Sequence, residues 1–128
     1  MAFVKLDNLT FNVNEAIKAE KSAREEWAKA RAALNTDSSW EAAYKARDAR
    51  AELYSAVATA EELGFELRDE LARVLSARGA DKLDGGILVL PPEEEGQVLA
   101  AARACLKASP RITARGIPPC VVGGSLAQ

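Results

Sequence analysis

The side chains most able to do chemistry here are carboxylates. They stand together as Glu25-Glu26, Glu61-Glu62, Asp69-Glu70 and the run Glu93 to Glu95, and carboxylates that converge can relay protons or hold a hard cation. Neighbours on a helix point roughly 100° apart, so adjacent pairs do not converge. None has the Glu-x-x-His spacing of a carboxylate metal centre, because the chain contains no histidine. The same absence removes Ser-His and Cys-His nucleophile pairs, imidazole bases and most transition-metal sites. The carboxylates therefore read as solvated groups or as partners of helix dipoles.

The two cysteines, Cys105 and Cys120, are too few for a structural zinc site and read as small apolar residues. Cys120 has no basic neighbour closer than Arg115 that would favour its thiolate. Asp84-Gly85-Gly86 and Gly123-Gly124 lack the spacing of phosphate-binding loops and read as turns. No catalytic, cofactor-binding or metal-binding residue is assigned, and the chain is expected not to be an enzyme.

The elements around these residues are expected to be mainly α-helical, in one domain over 1–128. The segment Phe3 to Val13 alternates loosely, with Leu9, Phe11 and Val13 on one face, and is expected to form an extended N-terminal arm over 1–13. Asn12 and Glu15 have capping-box spacing, which starts a first helix near Val13. Its narrow apolar stripe runs Ala16, Ala19, Ala23, Trp27, Ala30 and Leu34. Asn35 to Ser39 reverse the chain, and Ser38 with Glu41 forms a second capping box. The second helix carries Trp40, Ala43, Ala46, Leu53, Val57, Ala60, Gly64, Leu67, Leu71 and Val74 on one stripe, ending at Arg78-Gly79. The phase holds through Gly64, which favours one long helix over two, with a break at Leu63 nearly as well supported. Residues 14–79 thus form an antiparallel hairpin whose first helix covers only part of the second. Trp27 and Trp40, either side of the reversal, read as large plugs of an Ala-rich hairpin.

Beyond Gly79 the expected elements are a turn at Asp84 to Gly86, a short strand or extended segment at Ile87 to Leu90, and a third helix. Pro91-Pro92 and the three glutamates start that helix, and Pro110 closes it. Residues 111–128 hold too many prolines and glycines for a regular helix, yet carry Ile112, Ile117, Val121, Val122 and Leu126, and read as a C-terminal arm with apolar anchors.

Two surfaces are expected to meet partners. One is a second apolar edge on the long helix, Tyr44, Ala51, Tyr54, Ala58 and Phe65. The other is the basic C-terminal stretch: no acidic residue follows Arg103, while Arg103, Lys107, Arg111 and Arg115 are positive. With Ile117, Val121 and Val122 these are the candidate partner-binding residues. With a formal net charge of −2, the chain does not resemble a general polyanion binder. The expectation is a structural or interaction protein: a small subunit that grips other subunits of a symmetric assembly, with a virus or bacteriophage decoration, cement or head-to-tail connector protein as the setting. The alternative is a regulatory module that engages nucleic acid or an acidic partner through the basic segment. No small-molecule substrate and no cofactor are expected. The N-terminus lacks a basic start followed by an apolar run, so synthesis in the cytoplasm is expected, with no membrane contact.

Overall fold

A computed structural model of the chain describes residues 3–80 and 88–108. Three helices run in order: α1 over Val4–Ala33, α2 over Trp40–Ala77 and α3 over Pro92–Ala108. The expected mainly helical hairpin with a shorter third helix is what forms. No strand occurs among the described residues. The turn at Asp84 to Gly86 and the arm at 111–128 lie outside them. Leu88 to Leu90 form no regular element, and their burial alternates: Leu88 and Leu90 are buried and Val89 is exposed.

The N-terminal arm is a correction. Residues from Val4 onward are already helical, and Asn12 and Glu15 lie inside α1 and cap nothing. An alternating strand would place Phe11 with Leu9 and Val13, but Phe11 is 63% exposed while Leu6, Val13 and Ala16 are buried at helical spacing. The start of α1 is set from outside its own sequence. Phe3 supplies no side-chain cap; instead its backbone N–H donates to Gln97 Oε1 at 3.2 Å, and Gln97 Nε2 donates to Asp7 Oδ2 at 2.7 Å. A glutamine on α3 thus satisfies one of the orphan donors of α1. Thr10 is buried inside the helix because its hydroxyl donates back to the Leu6 carbonyl at 2.8 Å.

The hairpin turn follows the expected chemistry one residue late. Ser39, not Ser38, is the N-cap of α2, accepting from the Ala42 N–H at 3.2 Å. Asp37 Oδ1 accepts from the Ser39 N–H at 2.9 Å, and that hydrogen bond lowers the Asp37 carboxyl below its ordinary range. Helix α2 runs unbroken through Gly64 for 38 residues, about 57 Å at the helical rise. It stops at Gly79, whose φ of 92° is the left-handed conformation that glycine adopts without penalty.

Burial in both helices repeats every seven residues. Leu6, Val13, Glu20, Trp27 and Leu34 mark the inward line of α1, and Ala46, Leu53, Ala60, Leu67 and Val74 mark that of α2. This is the seam of an antiparallel coiled coil. The predicted α2 stripe is inward from Ala46 to Val74, but Trp40 and Ala43 are exposed. In α1 the predicted Ala19 is exposed, and its neighbour Glu20 holds the half-buried position.

Because α1 begins near the N-terminus, it reaches the far end of α2, where Lys5 Nζ lies 3.7 Å from Glu70 Oε1. The first helix therefore covers more of the second than expected. Helix α3 fills the trough between them at this end, starting beside Arg78 and ascending to Gly64, whose carbonyl accepts from the Cys105 thiol at 3.8 Å. The main core lies here: Leu6 and Val13, Leu67, Leu71 and Leu75, and Val98, Ala101 and Cys105. The other end of the hairpin has alanines in place of this cluster, and α3 stops before reaching it.

Candidate interaction surface

Several carboxylates of the described residues form ion pairs. Glu70 is buried in the α2 stripe, and Arg73 Nε donates to its Oε1 at 2.9 Å. The hydrogen bond from Arg73 holds the Glu70 carboxyl below the usual range, against the opposing effect of burial. Arg78 Nε donates to Glu94 Oε1 at 2.8 Å, joining the end of α2 to the first turn of α3, and lowers that carboxyl too. Glu25 and Glu26 are exposed. Among the described residues no three His, Cys, Asp or Glu side chains gather as metal ligands, and no helix is long and apolar enough to cross a membrane. Cys105 is fully buried and burial pushes its thiol up to about 11, so it resides in the core as a thiol, as its sequence position indicated. Cys120 lies outside the described residues.

The exposed side chains that stand out are aromatic. On α2, Trp40 is 69% exposed, Tyr44 50% and Tyr54 64%. The Trp40 and Tyr44 rings meet edge to face with centroids 5.2 Å apart. Trp40 is thus no plug. Trp40, the first residue of α2, lies six positions before Ala46, where the buried line of the helix begins, and falls off that line. Trp27 is half-buried.

Trp27, Tyr44 and Tyr54 each carry a guanidinium. Arg31 lies 5.0 Å over Trp27, Arg47 5.5 Å over Tyr44 and Arg50 6.0 Å over Tyr54. Stacking an arginine on a ring leaves its N–H edges available to an anion. These arginines were not singled out from the sequence. Their signal was the spacing of three or four residues from an aromatic, which puts both side chains on one helix face.

The predicted residues divide. Tyr44 and Tyr54 belong to the exposed edge, whereas Phe65 is half-buried against the core, with Arg68 stacked over it at 5.4 Å. Arg103 and Lys107 are exposed on α3, beside Leu106 at 47% exposure. Arg111, Arg115, Ile117, Val121 and Val122 lie outside the described residues. Compared with protein-family models, with curated proteins and with solved structures, the chain matches none.

Proposed function

We propose that this chain is a non-enzymatic interaction protein, a small subunit that joins other subunits of a larger assembly. The observation that carries the reading is the exposure of Trp40, Tyr44 and Tyr54 on the part of α2 that, among the described residues, α3 does not reach. Aromatic and arginine side chains are the types that anchor protein interfaces. The second grip is the C-terminal stretch with Ile117, Val121 and Val122, and a virus or bacteriophage particle is the setting that suits such a subunit. The test is the solution mass of the full chain and of a chain ending at residue 110. The full chain is expected to form a defined oligomer, and the shorter one to keep its helical circular dichroism while losing assembly. A truncated chain that assembles normally refutes the role of the arm.

A second reading follows from Arg103 and Lys107, which are exposed on α3 and lead into Arg111 and Arg115. It is a regulatory module that meets nucleic acid or an acidic protein through this basic segment. Binding would then weaken steeply with salt and disappear when the four charges are changed together. Salt-insensitive association counts against it.

A further inference from the structure

Among the described residues, the half of the hairpin beyond α3 has two flanks of opposite sign. The trough that holds α3 at the core end continues past Ala108 toward the hairpin turn. On α2 the line that faces α3, Gly64, Arg68, Leu71 and Leu75, runs on at steps of three and four through the half-buried Glu61 and then Val57, Tyr54, Arg50, Arg47 and Ala43. There it forms an open groove of 330 Å3 with Trp27, Arg31 and Leu34 of α1. Three arginines and no carboxylate line this groove, over a floor of alanine, leucine and indole.

The other flank has the opposite charge. Its grooves are lined by Glu26, Asp37, Glu41 and Asp48, four carboxylates against the two lysines Lys29 and Lys45. The line on α2 continues through Glu52, Glu62 and Glu66, all exposed. Trp40 and Tyr44 border this acidic side.

We propose that a second copy of this chain docks here, its acidic α2 flank lying in the arginine trough of the first. This rests on the assembly reading above and names the surface through which assembly proceeds. The complementarity lies within one sequence, so no foreign acidic helix is needed. The chain's own C-terminal stretch, with Arg111 and Arg115, has the same sign as the trough and does not fit it. Nucleic acid fits poorly, because the basic track is short and its other flank repels phosphate. Each copy uses one flank to receive and the other to insert, so the contact is heterologous and copies add side by side into a ring or an open row.

The test uses the full chain and light scattering at low salt over a range of concentration. The mass of the wild type is expected to rise above one chain, and to fall back toward one chain as salt screens the contact. Arg47→Gln with Arg50→Gln neutralises the receiving flank. Glu41→Gln with Asp48→Asn neutralises the inserting one. Each variant alone is expected to remain a single chain, its association weakened by about tenfold or more. An equal mixture is expected to form a species of two chains and stop, since each variant keeps one working flank. Circular dichroism of each variant checks that these exposed changes leave the helices intact. A wild type that stays a single chain, or a mixture that gives no two-chain species, overturns the proposal. If the wild type assembles and both variants assemble equally well, flank docking fails while the assembly reading stands.

Discussion

Replacing Leu67 by alanine and, separately, Leu53 by alanine tests the uneven distribution of the core. Both leucines lie on the inward line of α2, 14 residues apart and therefore on the same face. Leu67 is fully buried and belongs to the main cluster with Leu6, Leu71 and Val98. Leu53 is 4% exposed but lies outside that cluster, on a line whose next members are Ala46 and Ala60. Truncating a buried leucine costs the transfer of the lost methyls plus the cavity left behind, about 2–5 kcal/mol, and the cavity part depends on how far the surroundings collapse. Around Leu67 three helices hold one another in place, so the cost is expected near the top, about 4 kcal/mol. Around Leu53 two helices can move together, so about 2 kcal/mol is expected. Urea unfolding followed by circular dichroism reads both. With a slope of about 2 kcal/mol per molar, the midpoints fall by roughly 2 M and 1 M. Amide exchange should agree, with α2 amides near Leu53 opening at lower free energy than those near Leu71. Equal losses for the two variants, or a larger loss at Leu53, would refute a stability concentrated at the three-helix end.

Other consequences are checked as directly. Gly96 is exposed within α3 and an added methyl there meets nothing within 4 Å, so Gly96→Ala should raise stability by about 0.5–1 kcal/mol. Gly79→Ala should lower it by about 1–2 kcal/mol, because its φ of 92° burdens any side chain; thermal melts separate the two signs. Glu70 has a carboxyl pKa depressed by Arg73 in the folded state, so its contribution is complete above the unfolded value of about 4.3 and is lost as pH falls through the folded one. Glu70→Gln should therefore cost about 1–2 kcal/mol at neutral pH and little in strong acid, and a gap that widens on acidification contradicts the pairing. Cys105, buried with its thiol raised to about 11, should resist alkylation in the native protein and react at the rate of unfolding, as peptide mapping at that residue would show.

How much of this was legible beforehand differs from element to element. The hairpin, the start of α3 at Pro92 and the stop at Gly79 follow from local rules, namely apolar spacing, proline at a first turn and glycine where φ is positive, whereas local rules favour continuity of α2 through Gly64 only narrowly over a break at Leu63. Cys105 as a core residue followed from its place on the apolar face of its helix. Ser39 displaced Ser38 as the cap because two neighbouring serines offer the same side-chain oxygen, and only the geometry of the turn selects between them.

What the sequence by itself determined is the set of helices and the approximate inward line of each, because 3.6-residue periodicity and end signals act within a few turns of chain. The tertiary structure decided the rest. Val4 to Val13 is helical because Gln97, 90 residues beyond Asp7 in sequence, completes its first turn, and because Leu6 and Val13 find a core to enter. Phe65 is half-covered while Tyr44 and Tyr54 stay exposed because α3 ends near Gly64. The opposite charge of the two flanks is written in residues from both helices, and it becomes a surface property only when α1 and α2 are set side by side in register.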